Sequence, residues 1–192
     1  MASQGRGAAG HQGSGSHATG PDGAGPHGAG PHGGAGGGPG ALTAEDRSLI
    51  AELLARYAEA IDAGDFDAVG DLLADATVRD QHGNVVARGR DEVVALYSAT
   101  TRRHDDGTPC TAHVITNVIV EPRGPGAAEV RSRFTVLQAT DSLPLQPVVV
   151  GRYRDRVERI GGAWRFVERT MVPERWGEVG EHLHFDPRDL GG

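Results

Sequence analysis

The sequence contains no lysine: all of its basic residues are arginine. That absence, with the abundance of Ala and Gly, points to coding bias rather than chemistry. It does exclude a Schiff-base lysine and a phosphate-loop lysine. There is one cysteine, Cys110, so no internal disulfide can form, and a reducing cytoplasmic setting is expected. No run approaches the roughly 20 apolar residues of a membrane span, and no apolar central run marks a signal peptide. The formal net charge of −7 argues against a general nucleic-acid partner. No Gly-rich loop lies between a strand and a helix, so a dinucleotide fingerprint is missing.

What is present divides unevenly. Residues 1–41 are rich in Gly, Ala, Pro and His with few side chains to bury, and GAGPH recurs in tandem from Gly23 to His32. Such a composition cannot offset its ordering entropy and predicts a disordered tail. Its histidines, His11, His17, His27 and His32, lack the fixed geometry of a metal site. Residues 42–176 can form one domain with a real core, and 177–192 read as a C-terminal tail.

Within the domain the hydrophobic period changes once. Thr43 is a good N-cap, followed by acids in the first turn. Leu49, Ile50, Leu53, Leu54, Tyr57, Ala58 and Ile61 then recur at helical spacing up to Gly64. Asp65 opens a short second helix. Residues 76–89 suggest a hairpin turning at His82-Gly83-Asn84, and 90–103 a third helix. From residue 110 the period is two, giving strands over 110–121, 127–139, 148–160 and 163–172. Helices first and long antiparallel strands after predict an α+β fold with the helices on one sheet face. Arg152, Arg154 and Arg156 alternate with Tyr153 and Val157, and Arg131 and Arg133 with Ser132 and Phe134. One face is therefore arginine-rich, either hydrated among acids, a subunit contact, or a phosphate or coenzyme A site, and the other is apolar.

Three residues raise the question of chemistry. His113 lies mid-strand where Val or Ile would pack better. It is either a hydrogen-bonded core histidine or a general base, since neutral imidazole titrates near physiological pH. Asn117 follows on the same expected strand face. Asp62 lies roughly 120° from the centre of the apolar helix stripe, which by periodicity alone makes it a solvated acid. Tyr57, near the stripe centre, is a core tyrosine or a donor to a substrate carbonyl. His182 and His184 have an H-x-H spacing that can bind zinc, but no cysteine pair or third ligand stands near them in sequence.

The stretches YAEAIDAGDFDAVGDLLADATV, TAHVITNVIVE and GRYRDRVERIGGAWRFVERT make the chain, over about 43–172, resemble the SnoaL-like branch of the nuclear transport factor 2-like superfamily. The resemblance implies a cone-like α+β barrel: three N-terminal helices packed on a strongly curved antiparallel sheet. It implies a cofactor-independent dehydratase, isomerase or cyclase, a lyase or isomerase in class, acting on a small apolar polycyclic or polyketide-like carbonyl compound. By position it makes His113 and Asp62 an acid–base pair and Tyr57 their companion. Asn117, Tyr97, Gln138, Phe134 and Tyr153 become pocket-lining candidates. It implies no cofactor, no metal, and a homodimer or homotrimer. Gln81 and Gln138 stand where scytalone dehydratase has a tyrosine and a second histidine, which points away from that enzyme's own substrate. The same cone also serves non-catalytic binding or assembly subunits, the alternative in a different class.

Overall fold

Thr43 starts helix α1 (Ala44–Asp62) with a capping box: its hydroxyl accepts from Asp46 N at 3.0 Å, and its own N–H donates to Asp46 Oδ2 at 3.0 Å. The Asp46 carboxylate also receives Trp164 Nε1 at 3.0 Å and the Arg159 guanidinium. These bonds, the Thr43 backbone bond foremost, hold its pKa down at about 2. One acid thereby caps the helix and pins it to a distant hairpin. This is a computed structural model, and it describes residues 41–190. The expected tail, all but Ala41, lies outside the described residues, and so do its four histidines.

Ile50, Leu54, Tyr57 and Ile61 form the buried stripe of α1. Leu49, expected in that stripe, is 40 % exposed. The helix ends at Asp62, and Gly64 follows with φ +70°. A Cβ there would also lie 2.3 Å from Gly107 O, so glycine is required twice over. Asp65 caps α2 (Phe66–Leu72) by accepting from Ala68 N at 2.9 Å. Strands β1 (Thr77–Arg79) and β2 (Val85–Arg88) form the short hairpin, and α3 (Gly89–Thr100) follows. The sequence period runs α3 on to Arg103. In the structure the chain leaves the helix at Thr101, which turns extended and bridges Leu183.

The four long strands are β3 (Thr111–Pro122), β4 (Ala127–Gln138), β5 (Gln146–Ile160) and β6 (Ala163–Trp176). With the first hairpin they form one curved, unclosed six-stranded sheet in the order β2-β1-β6-β5-β4-β3. Every neighbouring pair is antiparallel except β1 with β6, which is parallel. The β5–β6 turn is Gly161-Gly162, both at positive φ as a tight two-residue hairpin requires.

Strand alternation sorts the two faces. Val130, Phe134, Val136, Tyr153, Val157, Trp164 and Phe166 are buried on the inner side beneath the helices. Arg131, Arg133, Arg152, Arg154 and Arg156 lie on the outer face, where Glu174 pairs with both Arg133 (2.7 Å) and Arg152 (2.6 Å), and Glu121 with Arg131 (2.9 Å). The arginine face is thus laced with acids. Two charges cross to the inner side. Arg169 and Asp155 are both fully buried and joined by two bonds of 2.9 Å.

The expectation that His113 and Asn117 share one regular strand face is altered by a bulge. β3 pairs regularly with β4 through Thr116↔Arg133 and resumes at Ile119↔Arg131, leaving Asn117 and Val118 opposite a single residue. Asn117 has φ +53° and is exposed. Asparagine tolerates that left-handed conformation better than most side chains.

Among the described residues no helix is long and apolar enough to cross a membrane.

Candidate active site

The site begins at the last residue of α1. The sheet curls so that its edge strand β3 lies against the flank of that helix, so a residue well off the core stripe is still covered. Asp62 is half-buried there and faces the start of β3. Its Oδ1 accepts from Thr111 Oγ1 at 2.7 Å and pairs with His113 Nδ1 at 2.6 Å, while its Oδ2 accepts from His113 N at 2.7 Å. Burial pushes this carboxyl up, but the bonds and charge of His113, with Thr111, outweigh it and hold it below its ordinary value. An ionised carboxylate only accepts, so His113 Nδ1 carries the hydrogen, and in the neutral form of the ring Nε2 keeps its lone pair. Asp62 therefore fixes the tautomer, the ring and the backbone of His113 together. The His113 side chain is 7 % exposed.

Tyr57 lies five residues before Asp62 on α1, with its ring edge-on to that of His113 at 6.4 Å between centroids. Its hydroxyl shares a 2.8 Å hydrogen bond with Tyr97 of α3, whose hydroxyl also lies 3.7 Å from Met171 Sδ. The ring of Tyr57 meets Tyr153 edge-on at 5.8 Å, and Tyr153 stacks on Phe134 at 4.4 Å. Gly151 makes that stack possible, since a Cβ there would lie 2.6 Å from Phe134 Cζ. The Arg169 guanidinium sits 4.1 Å above the Tyr57 ring and 4.4 Å from those of Tyr153 and Phe166. Burial raises the hydroxyl pKa of both Tyr97 and Tyr153 well above the usual phenol value, so both stay protonated donors.

The structure thus brings His113, Asp62, Tyr57 and Tyr97 together, with Tyr153 and Phe134 packed beside Tyr57. Gln138 is fully buried at the end of β4. Its Nε2 donates to Pro109 O at 3.0 Å and to Glu181 O at 2.9 Å, and its Oε1 has no partner. Asn117 lies apart at the exposed bulge. Gln81 is in the exposed β1–β2 turn, beside His82.

Thr111, Asp155 and Arg169 do not emerge from sequence reasoning, and His182 does so only as half of the H-x-H spacing, not as a residue near this cluster. For Asp155 the signal was available: it alternates onto the same face as Tyr153 and Val157, and an acid on an apolar face demands a buried partner. For His182 it was not, because a histidine after the last strand carries no period. In the structure, His182 is buried and His184 exposed. The two rings of the H-x-H motif therefore do not share an environment. Among the described residues no group of three or more His, Cys, Asp or Glu side chains is placed to hold a metal ion. A cleft of about 510 Å³ is lined by residues 178–181 and 183–186, with Arg102 and Leu143, and includes none of His113, Asp62, Tyr57 and His182.

Known proteins of the same shape have diverged widely in sequence. A Nostoc punctiforme protein of unknown function with a cystatin-like fold is 24 % identical, with TM-score 0.56 over 69 % of this chain and 94 % of its own. An NTF2-like protein from Novosphingobium aromaticivorans is also 24 % identical, with TM-score 0.57 over 70 % and 86 %. Aln2 from a Streptomyces species is 18 % identical, with TM-score 0.56 over 69 % and 93 %. These likenesses establish the cystatin-like, NTF2-type cone. No curated protein matches the sequence. The model of the SnoaL-like domain matches residues 42–170, a span holding α1, the β3 edge and the whole Asp62–His113–Tyr57 cluster, and the chain belongs to that family.

Proposed function

We propose that the protein is a cofactor-independent dehydratase, isomerase or cyclase acting on a small, mostly apolar polycyclic or polyketide-like carbonyl compound. The observation that carries this reading is the triple anchoring of His113 and Thr111 on Asp62, which leaves His113 Nε2 with a lone pair inside a ring-lined interior.

In this reading, His113 Nε2 removes a proton alpha to the substrate carbonyl. The C–H electron pair moves into the carbonyl and gives an enolate. The imidazolium so formed is stabilised by the Asp62 carboxylate 2.6 Å from Nδ1. In a dehydration, the enolate electrons return to expel a beta hydroxyl, which takes the proton from Nε2 and leaves as water. In an isomerisation, the same proton is returned to another carbon. Tyr57 serves as donor to the enolate oxygen. When Tyr97 turns its one hydroxyl hydrogen from Met171 Sδ to the Tyr57 oxygen across their 2.8 Å contact, the Tyr57 hydrogen is free for substrate. Asn117, exposed at the bulge, is assigned no part in these steps.

The test is turnover measured beside thermal melting, using naphthalene- and anthracene-based hydroxyketones as substrates. His113→Asn should melt within a few degrees of the wild type and lose about 10²–10⁴-fold in kcat, the usual contribution of a positioned acid–base group. A folded His113→Asn protein with wild-type turnover would make His113 a core histidine and remove the mechanism.

A further inference from the structure

We infer that His182, from the segment after the last strand, is a second substrate-contacting residue of this site: a neutral imidazole whose unpaired ring nitrogen hydrogen-bonds a substrate oxygen while His113 handles the proton. This rests on the proposed function and extends it to residues outside the span matched by the family model, which ends at 170.

The segment is built into the domain. Val179 is 1 % exposed and Leu183 lies in the core cluster. His182 O accepts from Arg102 N at 2.8 Å, Leu183 O from Arg102 Nε at 2.7 Å, and Thr100 O from His184 N at 3.0 Å. Glu181 O accepts from both Gln138 Nε2 (2.9 Å) and His104 Nε2 (3.1 Å). Gln138 is the β4 partner of Thr111, which itself holds Asp62. The backbone around His182 is therefore tied to the same end of β3 and β4 that carries the catalytic pair.

Inside this frame the His182 ring is a buried polar group whose Nδ1 has no partner among the described residues. The residue is 7 % exposed, and its Nδ1 is sealed from solvent with no hydrogen bond. Such an atom costs stability unless something else satisfies it, and burial of that kind concentrates at binding sites. Burial first, and the charge of a protonated His113 second, lower its pKa to about 4, against a smaller opposing pull from Asp62. It is therefore uncharged at neutral pH. A neutral imidazole can give a hydrogen bond to a carbonyl or leaving oxygen without competing for the proton His113 carries.

The experiment is ring-nitrogen NMR on the full chain labelled with ¹⁵N-histidine, titrated with 1-hydroxyanthraquinone, a planar polyketide-like hydroxyketone. The His113 and His182 signals are assigned by His113→Asn and His182→Phe. The expected result is that both rings shift along one saturation curve, and that His182→Phe weakens probe binding about 10-fold with an unchanged His113 signal in the free protein. If the His113 ring shifts and the His182 ring does not, the inference is overturned while the proposed function stands. If neither ring shifts at a saturating probe concentration, both fall. The titration is read on the wild-type chain, so the result survives even if His182→Phe loosens the segment.

Discussion

At the scale of single residues, Asp62 makes the sharpest demand. Its Oδ2 faces the His113 backbone N–H, which can only donate and cannot rotate away. In Asp62→Asn the amide oxygen must therefore take that position, and the NH₂ must face Thr111 Oγ1 and His113 Nδ1. An NH₂ facing Nδ1 pushes the imidazole proton onto Nε2, where the lone pair was. The substitution should then cost about 10²–10⁴-fold in kcat with little change in KM, through the wrong tautomer rather than lost charge alone. Ring ¹⁵N shifts of His113 should show the proton moved to Nε2; an unmoved proton with lost activity would refute the tautomer argument. The same carboxyl sets a pH limit. Unfolded it titrates near 3.8, and folded it titrates lower. Its contribution to stability is therefore complete above about pH 5 and disappears as pH falls through the folded value.

At the scale of elements, the helices and strands were legible because their signals are local. Thr43 with Asp46, Gly64, Asp65 and Gly161-Gly162 mark their boundaries by capping and turn chemistry that needs no tertiary context. The alternation of Arg152, Tyr153 and Arg154 gave the correct inner and outer faces of β5. Periodicity failed where the structure depends on a neighbour. Asp62 reads as a solvated acid from α1 alone and is covered only because β3 curls beside it. Asn117 leaves the expected face because one bulge breaks the count of two. Residues 177–190 look like a tail because the bonds from Arg102 and His104, and from Gln138, that fasten them come from two distant parts of the chain. The fastening should be visible as acid sensitivity. The His182 ring titrates near 6.5 when unfolded and about 4 when folded, with His113, Asp62, His104, Glu181 and Arg102 among the groups around it or its segment. Below pH 6.5 the unfolded chain takes up this proton first. The stabilisation is thus full above pH 6.5 and is lost as pH falls toward 4. The melting temperature should fall across that window, and more steeply in the wild type than in His182→Gln, whose side chain has nothing to titrate. Parallel slopes would mean that the ring is not held neutral in the fold.

At the scale of the whole molecule, the question is how a cone keeps a polar interior without coming apart. The Arg169–Asp155 pair answers it structurally. It crosses from β6 to β5 at the middle of the sheet with no exposure, and its guanidinium lies against Tyr57, Tyr153 and Phe166. Burial works against the charge of Arg169, but the Asp155 carboxylate and its two bonds more than offset that, so the arginine stays protonated. The pair therefore links the sheet to the Tyr57 ring that backs the proposed active site, and its loss should be felt in both. Arg169→Met leaves a buried, unpaired Asp155 and should destabilise by about 3–5 kcal/mol. The double substitution Arg169→Met with Asp155→Leu removes both charges and should recover most of that stability, because the pair's net worth is small beside the cost of orphaning one member. Activity should not recover with it, because Tyr57 and Tyr153 would have lost the planar cation that fixes their rings. Chemical denaturation and turnover on the single and double variants measure the two effects separately. A double variant that is both as stable and as active as the wild type would show that the buried charges do not position the site.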